Sequence, residues 1–170
     1  MANHIENNHF KSGGLSEAVR DSLLFRYLDP HKEAAILGSL RADKTSCTLS
    51  ATVSEGLDNH SRHTSPLAHW MVGVFFADEL TGFVRACDGS FDGHIETALF
   101  VDERWRRQGI GSLLLGRAMD WGSRRKGTKL RFVCATTDWP MRHFAQKFGA
   151  RLDLVLGRMV ADFPIEPVHQ

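Results

Sequence analysis

The spacing of hydrophobic and polar residues predicts helices and strands along most of the chain. Apolar residues recur at helical spacing after Ser16 as far as Leu28, which predicts a first helix with Ser16 as its N-cap. Pro30 separates this helix from a second one at residues 33–40. Residues 47–53 alternate as a strand does, and residues 55–66 are rich in Asn, Ser, His and Gly, which is typical of a loop.

The rest of the chain predicts a strand-rich region with two further helices. An antiparallel meander is expected from Trp70–Phe76, residues 82–86 and His94–Val101. Apolar residues at helical spacing then predict a helix from Ile110 to an end near Gly122. A buried strand at 130–135, a short helix at 139–148 and one closing strand at 152–163 complete the order. This order predicts an α/β or α+β fold with a mixed sheet.

The composition is that of one compact domain, with 42% hydrophobic and 24% charged residues in a chain of 170. We expect residues 15–170 to form that domain and the polar residues 1–14 to form a tail. The longest apolar stretch, residues 70–77, is far shorter than the roughly 20 residues of a spanning helix, so no membrane segment is expected. Because the first residues lack a secretory pattern and the three cysteines are widely spaced, the expected location is the cytoplasm.

The charge is balanced over the whole chain but not within it. The net charge is +1, yet nine basic and three acidic residues lie between Val101 and Arg131. Such a positive region in a nearly neutral protein favours a compact anionic ligand, although a solvated helix face explains the charges equally well. Aromatic and basic residues do not alternate there, so nucleic acid is not an expected partner.

A phosphate-binding loop is predicted where the strand His94–Val101 leads through a basic turn into the next helix. The first turn of a helix leaves several backbone N–H groups without partners and carries a partial positive charge, so it attracts anions. Gly109 and Gly111 have no Cβ, so a pyrophosphate can approach the nearby amides, while Arg106 and Arg107 add positive charge. The residues match neither the P-loop nor the dinucleotide-binding fingerprint. The alternative is a glycine-containing helix start that binds nothing.

The motif Arg106-x-x-Gly109-x-Gly111, with Leu99-Phe100-Val101 before it and three leucines after it, resembles the acyl-CoA binding signature of the GNAT N-acyltransferase superfamily. The resemblance continues through the strand at 130–135 and the segment 144–150, and it covers residues 80–163. It implies a GNAT-like acyl-CoA N-acyltransferase fold. The central sheet of that fold is mixed, mostly antiparallel and flanked by helices.

The resemblance also implies which residues bind acetyl-CoA. In the family, the strands that correspond to His94–Val101 and residues 130–135 separate, and the pantetheine arm lies between them. The backbone of Leu99, Phe100 and Val101 would pair with that arm, and an amide near Leu99 would polarise the thioester carbonyl. Asp138 replaces an asparagine that often contacts the cofactor. The residues implied for the pyrophosphate are Arg106, Arg107, Gln108, Gly109, Ile110, Gly111 and Ser112.

A general base is expected on the strand that carries the thioester, because only the neutral form of an amine attacks. Glu96 resembles the family's frequent strand glutamate, and the two-residue period places His94 and Glu96 on one face. Similar family members place this glutamate one step closer to the position of Val101, a difference that a β-bulge would absorb. The alternative is that Glu96 and His94 are ordinary, partly exposed strand residues.

The general acid is the clearest departure from the family pattern. Ala145 occupies the position of the tyrosine that often protonates the leaving thiolate, and the one tyrosine, Tyr27, belongs to the first predicted helix. His143 on the same helix as Ala145 and, more weakly, Cys134 are candidates. Solvent would also suffice, because a thiol has a pKa of about 8.5.

The sequence therefore predicts an N-acetyltransferase that moves an acetyl group from acetyl-CoA to a primary amine by direct attack. The alternative is a non-catalytic acyl-CoA sensor or structural domain, which the missing tyrosine would permit. No metal is expected, since His60 and His63 lie in a polar loop without further ligands at suitable spacing. The acceptor is not identified. A homodimer is left open, because the single closing strand is short for the two closing strands of relatives.

Overall fold

The computed structural model describes residues 16–29, 32, 36–37, 70–89 and 93–166. The strands are β1 (Leu23–Tyr27), β2 (Trp70–Phe76), β3 (Glu79–Asp88), β4 (His94–Val101), β5 (Lys129–Ala135), β6 (Arg151–Val155) and β7 (Arg158–Pro164). The α-helices whose bounds lie within the described residues are α1 (Glu17–Asp21), α2 (Ile110–Arg124) and α3 (Trp139–Lys147). A short 3-10 helix, Glu103–Trp105, precedes α2.

The strands form one sheet in the order β1-β2-β3-β4-β5-β7-β6. Neighbouring strands are antiparallel except for β4 and β5, which are parallel and are connected through α2. Antiparallel neighbours need only a tight turn, such as the one at Ala77 and Asp78, whose φ angles are 46° and 66°. The predicted mixed, mostly antiparallel sheet with flanking helices is confirmed.

The described hydrophobic side chains form two clusters, one on each face of the sheet, because neighbouring residues of a strand point to opposite sides. In the larger cluster α2 packs on the sheet through Ile110, Leu114, Leu115 and Ala118. These four lie on one face of the helix, as the sequence predicts. The smaller cluster contains Leu28, Leu37, Met71, Phe75, Leu80, Phe83 and Phe100.

The predicted first helix is wrong beyond its first turn. Ser16 does cap a helix, with its hydroxyl oxygen accepting a hydrogen bond from the N–H of Val19, but that helix ends at Asp21. The next residues form β1, which pairs with β2 in the register Leu23↔Phe76 to Tyr27↔Val72. The same apolar residues fit a period of two as well as a helical one, and pairing with β2 satisfies the backbone while it buries Leu23.

The predicted single closing strand at 152–163 is also wrong, because this segment is a hairpin of β6 and β7. Its turn contains Leu156 and Gly157, whose φ angles of 48° and 74° fit a two-residue hairpin turn. The chain thus supplies both closing strands itself, so the length of the final strand is no longer a reason to expect a homodimer. The homodimer stays a prediction. The helix predicted to end near Gly122 continues to Arg124.

Several predictions lie outside the described residues. They concern the tail at 1–14, the strand at 47–53, the loop at 55–66 with His60 and His63, and most of the helix at 33–40. Among the helices of the described part of the chain, none has the length and hydrophobicity to cross a membrane.

Candidate functional site

Strands β4 and β5 pair only over their first three residues and then separate. His94, Ile95 and Glu96 have Lys129, Leu130 and Arg131 as partners, and the register ends there. On its other side β4 stays paired with β3 as far as Val101, and β5 stays paired with β7 as far as Ala135. Residues 97–101 and 132–135 therefore border a gap that opens towards the carboxyl ends of both strands. The expected separation of these strands is present.

An ion pair between the buried Asp102 and the partly exposed Arg104 holds the segment that follows β4. Asp102 is fully buried, and one of its carboxylate oxygens accepts hydrogen bonds from the backbone N–H and from Nε of Arg104, both at 3.0 Å. The Arg104 guanidinium also donates to Glu79 on β3. Hydrogen bonds to these two carboxylates raise the pKa of Arg104 above its ordinary value. Because the N–H of Asp102 also donates to the carbonyl of Thr81, the segment is attached to β3 at the open end of the gap.

The first of the predicted pyrophosphate residues, Arg106, Arg107 and Gln108, lie between this ion pair and α2. Nε of Arg106 donates to the carbonyl oxygen of Val101 at 3.1 Å, so its side chain turns back onto the end of β4. Arg107 is exposed and has a φ of 60°, a left-handed conformation that is uncommon outside glycine. The side-chain amide of Gln108 donates to the carbonyl of Arg104 at 3.0 Å. The loop is therefore shaped by its own side chains.

The first turn of α2 has the features of an anion site. Its N-cap is Gly109, with a φ of 90°, and no side chain makes a capping hydrogen bond there. The first turn contains no acidic residue. The N–H groups that begin a helix have no intrahelical acceptor and lie at the positive end of the helix dipole. The positive φ of Gly109 is what requires glycine at this position.

Gly111 has a packing role that the sequence did not indicate. A Cβ built on Gly111 would lie 3.3 Å from the Phe144 ring of α3 and 3.8 Å from a methyl carbon of Val101. The missing side chain thus lets α3 approach the start of α2. Ile110 and Ser112 are buried on either side of it.

Asp138 caps α3 in this structure. Its carboxylate accepts a hydrogen bond of 3.1 Å from the N–H of Met141, and the residue is buried. An aspartate at an N-cap accepts a hydrogen bond from one of the first N–H groups of a helix, and its negative charge interacts favourably with the positive end of the helix dipole. Capping accounts for Asp138 without a ligand, so its predicted contact with the cofactor stays a prediction.

Glu96 lies on the face of the sheet opposite α2. Ile95 and Val101 belong to the cluster beneath α2, whereas Phe100 belongs to the other cluster, so the alternation places Glu96 on the side of Phe100. The pairing of β3 with β4 runs from Ile95 to Val101 without a break, so no β-bulge shifts the glutamate along this strand. The predicted common face of His94 and Glu96 is confirmed.

The side chains of His94 and Cys87 lie beside the Glu96 carboxylate. Nε2 of His94 lies 3.8 Å from Oε1, and Sγ of Cys87, the residue opposite on β3, lies 4.0 Å from Oε2. Burial raises the pKa of the Cys87 thiol, and the negative charge of Glu96 raises it further. The His94 ring is buried over Gly89, where a Cβ would lie only 2.4 Å from Nε2. Gly89 therefore leaves the space that the imidazole occupies beside Glu96.

A second charged group lies next to Glu96 on the same face. Arg131, the β5 partner of Glu96, donates two hydrogen bonds to Asp162 of β7, at 2.8 and 2.7 Å. Nζ of Lys129 lies 3.4 Å from the same carboxylate. The Arg131 guanidinium holds the pKa of Asp162 below its ordinary value. The sequence does not reveal this group, because Asp162 lies in the segment predicted as one closing strand, and the local pattern does not fix the register of that strand.

The candidates for a general acid differ in exposure and lie on different elements. Ala145 is fully buried in the larger cluster, so no ionisable group stands at the position of the family's tyrosine. Tyr27 is on β1, an edge strand of the described sheet, and is exposed. His143 is exposed on α3, and Cys134 is buried on β5. Within the described residues, no group of three His, Cys, Asp or Glu side chains could hold a metal ion.

The contacts of Cys87 and Asp102 are also not predicted from the sequence, although the sequence contains a pattern that is related to each of them. The hairpin register of β3 and β4 would have paired Cys87 with Glu96 if the turn between them had been placed. An aspartate directly after a strand and two residues before an arginine is a usual cap for a short helix. Its burial and its contact through Arg104 to β3 depend on strand pairing, which the local sequence does not contain.

Known proteins share this architecture. The PaiA N-acetyltransferase of Thermoplasma acidophilum, solved in complex with coenzyme A, superposes with a TM-score of 0.64 at 15% identity, over 84% of this chain and 99% of that one. The ribosomal-protein-S18-alanine N-acetyltransferase of Escherichia coli gives a TM-score of 0.61 at 13% identity, over 87% and 97%. A putative acetyltransferase of Salmonella typhimurium with its cofactor acetyl-CoA gives 0.58 at 14% identity, over 87% and 96%. At these identities the likeness shows the fold alone.

The sequence itself carries the family assignment. None of the curated proteins matches it. The model of the acetyltransferase (GNAT) family matches residues 35–150, which include β2 to α3, the gap between β4 and β5 and the start of α2. The predicted membership is confirmed: the chain belongs to the GNAT acetyltransferase family.

Proposed function

We propose that this protein is an N-acetyltransferase that transfers the acetyl group of acetyl-CoA to a primary amine by direct attack. The observation that carries the proposal is the separation of β4 from β5 after Glu96, next to a helix start that has no acidic residue. A strand-shaped gap with backbone on both sides suits an extended pantetheine arm, and the adjoining helix start suits the pyrophosphate.

Acetyl-CoA is the substrate that supplies the acetyl group. In the proposed arrangement its pyrophosphate accepts hydrogen bonds from the first amides of α2, between Gly109 and Ser112, with Arg106 and Arg107 adding charge. The pantetheine arm follows the unpaired edge of β4 at Leu99, Phe100 and Val101. A backbone N–H near Leu99 then donates to the thioester oxygen, where negative charge develops as the amine attacks.

Glu96 is the proposed general base. The neutral amine forms a bond to the thioester carbon, and its proton passes to Glu96. Leu99 is three residues further along the strand, about 10 Å at the strand rise, so a chain of bound waters carries the proton from the amine to the carboxylate. When the tetrahedral intermediate collapses, the carbon–sulfur bond breaks and the coenzyme A thiolate leaves. Ala145 offers no proton, so the thiolate takes one from solvent, as its pKa near 8.5 allows.

An acetylation screen tests the proposal. The protein is incubated with acetyl-CoA and one amine from each class: a peptide N-terminus, lysine, a polyamine and an aminoglycoside. We expect at least one amine to yield an acetylated product by mass spectrometry together with an equal amount of coenzyme A thiol. Calorimetric binding of acetyl-CoA without release of thiol over the whole panel would favour the sensor. Absence of binding would contradict both functions.

The cytoplasm is the location we propose for this activity. The three cysteines are widely spaced in the sequence and suggest no disulfide framework, which suits a reducing compartment that also contains acetyl-CoA.

A further inference from the structure

We propose that a cavity between β1, β2 and the C-terminal half of α2 binds a small aromatic anion, a single ring that carries a carboxylate or a phosphate. We call it the aromatic cavity. Its volume is about 170 Å³. The described residues that line it are Phe25, Arg26, Tyr27, Trp70, Val72, Arg117, Trp121 and Arg124.

The secondary structure explains why these side chains meet. Arg117, Trp121 and Arg124 are separated by four and three residues, so they form one stripe along α2. On β1, Phe25 and Tyr27 point to the same side, and their partners on β2 are Val74 and Val72. Val72 and Val74 belong to the cluster beneath α2, so this side of both strands faces the helix.

Aromatic rings form the walls of the cavity. The rings of Trp70 and Trp121 are stacked, with centroids 5.4 Å apart and planes at 20°. Tyr27 is 74% exposed, although it is large and partly apolar. Cζ of Arg125 also lies 5.1 Å from the centroid of the Trp121 ring, so a flat ligand ring contacts the edges of the stacked rings and the exposed Tyr27 ring and buries apolar area there. The cavity is comparable in size to the roughly 150 Å³ cavity that holds benzene in an engineered protein, so it accommodates one ring.

Arginine supplies the charge that selects an anion. Cζ of Arg117 lies 4.5 Å from the centroid of the Phe25 ring, which orients the guanidinium, and Nε of Arg124 donates to the backbone carbonyl of Asp120. The described lining contains no acidic side chain. Arg26 stacks on Phe75, a residue of the cluster on the other face, so we assign the charge to Arg117 and Arg124. Guanidinium groups bind carboxylate and phosphate through paired N–H groups.

The aromatic cavity is separate from the proposed acetyl-CoA site. Trp121 follows Gly111 by ten residues on α2, which corresponds to about 15 Å along the helix. The acetyl-CoA site uses the N-terminal end of α2 and the gap after Glu96. The aromatic cavity uses the other half of α2 and the β1–β2 end of the sheet. The inference therefore does not depend on the proposed function.

Two-dimensional NMR of the full chain tests the proposal, because the four tryptophans give four indole N–H signals. Benzoate and phenyl phosphate are titrated separately, with and without saturating coenzyme A, and benzyl alcohol serves as the uncharged ring. We expect each anion to shift the Trp70 and Trp121 signals in a saturable way and to leave the Trp105 and Trp139 signals unshifted. The affinity obtained from these shifts should be the same with and without coenzyme A. The tighter of the two anions tells whether the cavity prefers a carboxylate or a phosphate. Benzyl alcohol should bind at least about tenfold more weakly than the tighter anion.

The double variant Arg117→Ala, Arg124→Ala should weaken binding of the anion about tenfold or more. Its matched control is Arg142→Ala, because Arg142 also stacks on a tryptophan, with Cζ 5.3 Å from the Trp139 ring, outside the aromatic cavity. Circular dichroism confirms that both variants are folded. The proposal fails if neither anion gives saturable shifts, if the double variant binds as well as the control, if coenzyme A displaces the ligand, or if benzyl alcohol binds equally well.

Discussion

Nε2 of the buried His94 lies 3.8 Å from Oε1 of Glu96, two residues further along the same strand and on the same face. This distance is too long for a hydrogen bond but within the range of an ion pair. With Cys87 on the opposite strand, it places the Glu96 carboxylate between an imidazole and a thiol. Contacts of catalytic groups are often loose without substrate and shorten when it binds. Because the His94 ring packs over Gly89, the surroundings of the proposed base depend on the glycine at that position.

Replacing Glu96 with Gln should slow acetyl transfer by about 10²- to 10⁴-fold and leave acetyl-CoA affinity near that of the wild type, because a base contributes to the chemical step. Steady-state release of thiol and calorimetry measure the two quantities. Glu17→Gln, an exposed carboxylate on α1, is the control and should keep full activity. An unchanged pH–rate profile for Glu96→Gln would exclude Glu96 as the base.

Replacing Gly89 with Ala should destabilise the protein by about 1–3 kcal/mol, since the new Cβ would overlap the buried His94 ring. Urea unfolding measures the loss. The double variant Gly89→Ala, His94→Ala should recover at least about 1 kcal/mol relative to the sum of the single effects, because residues in contact are not additive. Simple additivity would show that the alanine methyl is accommodated elsewhere.

Replacing Gly109 with Ala should cost about 1–2 kcal/mol of stability, because its φ of 90° disfavours residues with a Cβ. Relief of this strain displaces the loop, so acetyl-CoA binding should also weaken by about tenfold. Gly116→Ala is the control on the same helix: nothing lies within 4 Å of its Cβ position, so it should gain about 0.5–1 kcal/mol from helix propensity. Equal acetyl-CoA affinity for both variants, measured by calorimetry, would argue against the loop as the pyrophosphate site.

Replacing Asp162 with Asn should lower the free energy of unfolding by about 1–3 kcal/mol at pH 7, because Arg131 loses its charged partner. The pKa of Asp162 is lower in the folded protein than in the unfolded chain, so its stabilisation is present above about pH 4 and is lost as the pH falls. The difference between wild type and variant should therefore shrink in urea titrations as the pH is lowered from 7 to below about 4. Asp153→Asn breaks a more exposed pair with Arg151 and should change stability by less than about 1 kcal/mol at any of these pH values.

Short-range patterns predicted the elements from Trp70 onwards, except for the hairpin at the C-terminal end. In β2, β4 and α2, burial, propensity and turn residues favour the same structure, so the local sequence predicts these elements correctly. In the segment after Ser16 the local signals do not favour a single structure, because the spacing of Leu23, Phe25 and their neighbours fits a helix as well as a strand. The hairpin turn at Leu156 lacks the usual Asn-Gly or Asp-Gly signal, so β6 and β7 read as one strand.

The sequence by itself determined the strand, basic loop and helix from His94 to Arg124, because capping, periodicity and glycine positions act over a few residues. Only the tertiary structure decided that β4 and β5 separate after Glu96, that Phe144 packs above Gly111, and that His94 and Cys87 lie beside the Glu96 carboxylate. These relationships join residues that are distant along the chain. Strand register and packing fix them, and neither is encoded in any single short segment.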